Sequence, residues 1–146
     1  MSKGVSYEEY LKEHGTLTYS NAGESMMPLL KQGRDLFTVA EKGEKRCKPG
    51  DVVLFKRGGR YVLHRVIKVR DNDYIIMGDN CVSKETGVKD SDIIGVMTAY
   101  TRKGKQHKTT DRGYRAYSFI VTHTSSVRAA AKKSVLKLKR ILKGKT

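Results

Sequence analysis

The fold is decided by residues 52–69, which have the sequence VVLFKRGGRYVLHRVIKV. Two apolar, β-branched runs flank Gly58-Gly59, and glycine can adopt the positive φ angles that a tight hairpin turn requires. The first run, residues 52–55, contains no alternating polar residue, which is typical of a strand buried on both faces. The second run alternates, so His64 is expected to share a face with the valines two positions away. The stretch predicts a β-hairpin whose second strand carries a histidine.

Shorter runs on both sides extend this hairpin into a larger sheet. Ser6 can cap, and Gly15 can end, a short helix near the N-terminus. Runs bounded by Gly, Pro, Asp or Asn predict four more strands, at residues 16–19, 36–40, 74–77 and 93–97. Because no helix of useful length interrupts these strands, the chain is expected to be mainly β. The expected fold is a partly closed antiparallel sheet with a short N-terminal helix and a C-terminal basic amphipathic helix.

The net charge of +15 is unevenly distributed along the 146 residues. Residues 1–99 contain 16 Lys and Arg against 14 Asp and Glu, whereas residues 100–146 contain 14 against 1. This shift predicts a near-neutral β-rich domain over residues 1–99, a basic linker over 100–112 and a cationic helical tail over 113–146.

The tail contains a predicted cationic amphipathic helix over residues 126–143. Its apolar stripe has spacings of 4, 4, 3 and 4 residues, through Val127, Ala131, Val135, Leu138 and Leu142. Such a helix can lie on an anionic membrane surface, where each lysine contributes about 1 kcal/mol. Alternatively, the stripe docks on the β domain and the charged face is solvated. Nucleic acid is the less favoured partner, because no helix-turn-helix or aromatic RNA-binding motif accompanies the helix.

A second segment, Gly23-Glu24-Ser25-Met26-Met27-Pro28, can hold a hydroxyl group out of a loop. Gly23 allows the backbone to bend, and Pro28 prevents a helix. A serine hydroxyl must pass its proton to a base as it attacks a carbonyl carbon, and a histidine near pH 7 can accept that proton. Ser25 and His64 are therefore a candidate nucleophile and base. A surface turn and a structural histidine are the alternatives.

Five segments in this order resemble the signal peptidase I family of membrane-associated serine endopeptidases. They lie between Tyr19 and Val96 and comprise residues 23–28, 33–35, 49–55, His64-Arg65-Val66-Ile67, and Gly78-Asp79-Asn80 with Ile94-Gly95. A histidine before Arg-Val is typical of the branch found in archaea and the endoplasmic reticulum, where the bacterial branch has lysine. The resemblance implies a Ser25/His64 dyad that cleaves leader or signal segments of a peptide or preprotein after small residues. It implies no cofactor and no metal.

The resemblance also leaves a choice of orienting acid. A third group normally holds the histidine in position and stabilises its charged form. In the family, the orienting acid is an aspartate a few residues after Gly-Asp-Asn. The corresponding residue in this sequence is Glu85, which has a longer side chain. Asp79 is the main competitor, and Asp90 and Asp92 are weaker ones, because acids at such positions commonly belong to turns.

The remaining site residues are assigned around the nucleophile. The backbone N–H of Ser25 is the expected oxyanion donor, and Gly23 stands where some relatives supply a hydroxyl group. A second donor must then be a backbone group or water, or is absent. Met26 or Met27 lines a shallow apolar substrate pocket or belongs to the core.

Two other interpretations fit part of the sequence. A cytosolic relative of self-cleaving repressors would share the serine loop and the sheet, but those proteins carry lysine at the position of His64. A catalytically inactive peptidase fold would serve as a basic binding module. The sequence contains no apolar core of a signal peptide and no stretch near the roughly 18 apolar residues of a spanning helix. A cytoplasmic or peripheral membrane location is therefore expected.

Overall fold

The computed structural model describes residues 6–144, which form an open antiparallel sheet of eight strands and three α-helices. The helices are α1 (Tyr7–His14), α2 (Arg112–His123) and α3 (Ser125–Gly144). The strands are β1 (Thr16–Ser20), β2 (Leu36–Glu41), β3 (Val52–Arg57), β4 (Arg60–Val69), β5 (Tyr74–Met77), β6 (Glu85–Val88), β7 (Ile93–Arg102) and β8 (Lys105–Lys108). The prediction of a mainly β fold is confirmed. Residues 1–5 and 145–146 of the predicted units 1–99 and 113–146 lie outside the described residues.

The central hairpin forms as expected and organises the sheet. β3 and β4 pair from Val52 opposite Arg65 to Arg57 opposite Arg60, with both glycines of the turn at positive φ. The strand order is β1-β2-β7-β3-β4-β5-β6, and β8 pairs with β7. This path begins at β1 and ends at β6, so the sheet is open.

Apolar clusters cover both faces of the sheet. Val52 and Leu54 belong to one cluster, and Val53 and Phe55 belong to the other, as the alternation of side chains along a strand requires. All four are buried, which confirms the prediction that β3 is buried on both faces. Complete burial of such a side chain stabilises the fold by about 1.5–3 kcal/mol. His64 packs its ring edge-on against Phe55, on the face of the second cluster.

The N-terminal helix has the predicted boundaries because both of its caps form. The Ser6 hydroxyl accepts a hydrogen bond from the backbone N–H of Glu9 at 3.1 Å, and Gly15 adopts a left-handed conformation with φ of 80°. Leu11 is the buried residue of α1 and belongs to the first core cluster, so the helix covers one end of the sheet.

The expectation of a loop or linker over residues 100–112 was wrong for much of that segment. β7 continues to Arg102, a turn follows in which Lys103 and Gly104 have φ of 52° and 79°, and β8 pairs back on β7. The β8 sequence KQHK has no alternating apolar residues, so a hydrophobic period cannot reveal it. Backbone hydrogen bonds to β7 hold this polar strand in place.

The C-terminal helices differ in how they contact the sheet. α2 buries Tyr114, Ser118, Val121 and Thr122. Asp111 occupies the N-cap position of α2, but its carboxylate accepts a hydrogen bond from the backbone N–H of Lys108 instead of a helix N–H. Ser125 is the only buried residue of α3 among those described. Within residues 6–144, no helix combines the length and hydropathy needed to cross a bilayer.

Candidate active site

Ser25 lies in a tight turn after β1. Within this turn the backbone N–H of Met27 donates to the carbonyl of Glu24 at 3.2 Å, and the N–H of Leu30 donates to the carbonyl of Met26 at 3.0 Å. Met26 is fully buried in the first core cluster, whereas Ser25 is only half-buried. The buried methionine therefore anchors the turn and leaves the serine accessible.

Asp35 fixes the far end of the Ser25 loop. Its buried carboxylate accepts hydrogen bonds from the backbone N–H groups of Lys31 at 2.8 Å and Lys103 at 3.0 Å. The guanidinium of Arg34 also donates to it, at 2.8 Å. These Arg34 bonds hold the pKa of Asp35 well below its ordinary value, against the opposing effect of burial. Since Lys103 belongs to the β7–β8 turn, Asp35 ties the loop to that hairpin.

Gly78 lies close to both Ser25 and His64. A Cβ atom added at Gly78 would stand 2.7 Å from the carbonyl oxygen of Ser25 and 3.1 Å from Cδ2 of His64. It would also stand 2.6 Å from the Sγ of Cys81. Since all three distances are measured from one point, the Ser25 backbone and the His64 ring are close neighbours. Only glycine leaves room for them at this position.

Asn80 holds the serine turn from the other side. Its backbone N–H donates to the carbonyl of Ser25 at 2.8 Å, and its side-chain Nδ2 donates to the carbonyl of Glu24 at 3.0 Å. The Nζ of Lys132 in α3 donates in turn to Oδ1 of Asn80 at 2.6 Å. The Gly78-Asp79-Asn80 segment therefore positions both members of the predicted dyad.

Ser25, His64 and Glu85 line one cleft with a volume of about 1080 Å³. Aromatic and apolar side chains form much of its wall, including Tyr7, Tyr19, Tyr61, Leu54 and Leu63. Cationic side chains also line it, namely Arg57, Arg60 and Lys132. The lining of the cleft is thus largely apolar, and its cationic side chains outnumber the single acidic one, Glu85.

Glu85 is the acid that the fold brings next to His64. Its Oε1 lies 3.3 Å from Nδ1 of His64, within ion-pair distance but without hydrogen-bond alignment. The same Oε1 accepts a hydrogen bond from Nη1 of Arg57. Contacts between catalytic groups are often loose in unliganded sites and tighten when substrate binds. With Nδ1 facing Glu85, the opposite edge of the ring, which contains Cδ2, lies next to Gly78.

Asp79, the competing candidate for the orienting acid, forms its hydrogen bonds with residues other than His64. Its carboxylate binds the guanidinium of Arg65 through two hydrogen bonds of 2.8 and 2.9 Å and accepts a third, of 2.8 Å, from the Tyr117 hydroxyl. The weaker candidates are also engaged, since Asp90 binds Tyr74 and Asp92 accepts from the backbone N–H of Lys89. The interpretation of Asp79 as the orienting acid is therefore corrected: it pairs with a buried arginine.

Three supporting assignments change with the structure. The N–H of Gly23 donates to Oε1 of Gln32 at 2.8 Å, so that amide is already bonded and cannot serve as the second oxyanion donor. Met26 belongs to the core, which was the alternative to a pocket position. Met27 lines a second cleft with Pro28 and Tyr117, and Ser25 is not among the residues that line it. The backbone N–H of Ser25 remains the predicted oxyanion donor.

The pKa of His64 is lowered from its ordinary value of 6.5. Burial is the main cause, because it disfavours the charged imidazolium; Arg57 adds to the effect and Glu85 opposes it. The neutral imidazole, which is the form that accepts a proton, therefore persists to lower pH than in an exposed histidine.

This balance of charges predicts that two substitutions in the cleft will shift the pKa of His64 in opposite directions. Glu85→Gln should lower the pKa of His64 further, because it removes the charge that favours imidazolium, whereas Arg57→Gln should raise it. NMR titration of the imidazole C–H signals would measure both shifts, with the exposed α2 variant Arg115→Gln as the control. Shifts of the same sign in the Glu85 and Arg57 variants would contradict this electrostatic arrangement.

Comparison of the chain with known protein families, curated proteins and solved structures found no match. Among the described residues there is also no group of three or more His, Cys, Asp or Glu side chains arranged to hold a metal ion. The interpretation of the cleft therefore rests on its own geometry and chemistry.

Proposed function

We propose that the protein is a serine endopeptidase, similar to signal peptidase I, that cleaves leader or signal segments from extended peptides with Ser25 and His64. The main support is the proximity of Ser25 and His64, since the Ser25 carbonyl and the His64 ring both lie close to Gly78 and both residues line one cleft. Glu85 beside the other edge of the imidazole adds to this support.

In the proposed reaction, Ser25 Oγ attacks the carbonyl carbon of the scissile bond while His64 takes the hydroxyl proton. Glu85 orients the ring through Nδ1 and stabilises the imidazolium that forms. The backbone N–H of Ser25 donates to the developing oxyanion. His64 then gives the proton to the leaving amine, and water hydrolyses the acyl-enzyme with His64 acting again as the base.

The shape of the cleft favours an extended peptide as substrate. Tyr19 and Ser20, at the end of β1, line the cleft beside the serine turn. β1 is an edge strand of the sheet, so its outer side offers backbone groups with which a peptide could pair as an added strand. The aromatic wall would then contact side chains of the peptide near the scissile bond.

Hydrolysis of a fluorogenic peptide that contains Ala-x-Ala tests the proposal. The full chain should cleave it, and Ser25→Ala should not. Ser83 lines the same cleft and is exposed, so Ser83→Ala is a matched control that should retain activity. Activity that survives in Ser25→Ala, or is lost equally in both variants, would contradict the proposed role of Ser25. A folded chain with no activity toward any such peptide would favour a binding module.

A further inference from the structure

Helix α3 is attached to the β domain by one face. Arg128 donates from Nη1 to the carbonyl oxygen of Asp79 at 2.8 Å, and Lys132 donates to Oδ1 of Asn80. Leu136, one further turn along, lines the cleft together with Lys132. These three residues follow at intervals of four and therefore share one side of the helix. The attachment is mainly polar and uses the inner side of α3.

The predicted apolar stripe is centred about 100° around the helix axis from this inner side and is exposed. The exposed fractions are 72% for Val127, 51% for Val135, 57% for Leu138 and 58% for Leu142, against 42% for Leu136 on the inner side. The interpretation that this stripe docks on the β domain is therefore contradicted, because the inner side already makes that attachment. A contiguous row of exposed aliphatic side chains on a protein surface indicates an interaction site.

The charge of α3 restricts what can cover the stripe. The helix contains seven Lys and Arg residues and no Asp or Glu. With about 100° between successive residues, Lys137 and Lys139 lie on opposite sides of the stripe next to Leu138. Long lysine side chains can extend from the edge of an apolar surface toward anionic groups. The occupant must therefore present an apolar centre bordered by negative charge.

We propose that the stripe of α3 binds the surface of an anionic lipid bilayer. Its aliphatic side chains would enter the boundary between headgroups and acyl chains, and the flanking lysines would contact lipid phosphates. Nucleic acid matches the charge but leaves the aliphatic row in water. This inference goes beyond the proposed peptidase function and does not depend on it, since it uses none of the residues of the dyad. Lys132 and Leu136 on the same helix would hold the cleft close to the bilayer.

Tryptophan fluorescence can locate the lipid-facing side, because the sequence contains no tryptophan. The full-length Leu138→Trp variant should show a blue shift when vesicles of phosphatidylcholine and phosphatidylglycerol (3:1) are added. Leu136→Trp is the matched control, since it introduces the same residue on the inner side of the same helix. A blue shift of equal size in both variants, or in neither, would overturn the proposal.

Vesicle sedimentation measures the strength of binding. The full chain should bind the phosphatidylglycerol vesicles, bind pure phosphatidylcholine vesicles weakly, and bind less at high salt because screening weakens the lysine contacts. Leu138→Ser should weaken binding about tenfold, whereas Leu136→Ser should not. Equal binding by both serine variants would overturn the proposal. The proposal would also be overturned if the chain preferred duplex DNA or RNA and Leu138→Ser left that preference unchanged. A concentration-dependent dimer that forms without lipid and is abolished by Leu138→Ser would overturn it too.

Discussion

Replacing Asp79 with alanine is expected to lower the free energy of unfolding by about 3–5 kcal/mol, because it leaves a buried arginine without its partner. The side chains of Arg65 and Asp79 are 0% and 1% exposed, and two hydrogen bonds join them. Burial alone would disfavour the charged guanidinium, but the bonds and charge of Asp79 outweigh it, so the pKa of Arg65 is raised. Urea unfolding followed by circular dichroism would measure the loss.

A matched surface pair supplies the control for this prediction. Arg70 and Asp73 also form an ion pair, but the Arg70 side chain is 44% exposed, so Arg70→Ala should have a much smaller effect. The double variant Arg65→Met, Asp79→Leu should recover part of the stability lost in Asp79→Leu alone, because it removes the unpaired charge together with its partner. Additive losses in the double variant would show that the pair does not act as a unit.

The buried Arg65–Asp79 pair also connects the segments that carry Ser25 and His64. Arg65 adjoins His64 in β4, and Asp79 adjoins Gly78 and Asn80, which contact Ser25. The remaining donors of Arg65 reach the carbonyl of Gly50 and the hydroxyls of Tyr114 and Ser118. One guanidinium thus connects the histidine strand, the asparagine loop and α2. We expect this connection to fix the distance between Ser25 and His64, the members of the proposed dyad.

The sequence predicted those parts of the fold whose signal is local. The Gly58-Gly59 turn, the buried run of β3 and the caps of α1 each depend on residues that are close in the chain, and each formed as expected. β6 and β8 were missed because short polar strands are held by backbone hydrogen bonds to their neighbours. Such pairing leaves no hydrophobic period in the sequence.

The residues of the candidate site could be named from the sequence, but their contacts could not. The segments around Ser25, His64 and Gly78 indicated a dyad, and Glu85 could be counted as a candidate acid. Asp79 is not the orienting acid because it binds Arg65. The sequence does not reveal this pairing, since the other partners of Arg65, on α2, lie 49 and 53 residues away in the chain. The inner contacts of α3 were missed for a similar reason. Arg128 and Lys132 look like part of a solvated charged face until the fold brings the carbonyl of Asp79 and the side chain of Asn80 within reach.

Ser25→Ala and His64→Gln are each expected to reduce kcat for peptide cleavage by at least about a thousandfold, and the double variant should be no slower than either one alone. The nucleophile is weak without a base, and the base has no catalytic role without the nucleophile, so the two effects should not add. Unchanged urea midpoints in the single variants would show that the fold is intact. Multiplicative losses would indicate that the two residues act separately.

A thiol at position 25 tests the same contact without any knowledge of the substrate. In the Ser25→Cys, Cys81→Ala variant, a neighbouring imidazole should lower the pKa of the new thiol and speed its alkylation by iodoacetamide at pH 7. The native Cys47 is buried, and burial raises its pKa to about 11, so it should react slowly. Adding His64→Gln should slow alkylation about tenfold, because the thiolate then loses its imidazolium partner. If alkylation is equally fast with and without His64, the imidazole does not reach residue 25. That result would refute the peptidase proposal without the need for a peptide substrate.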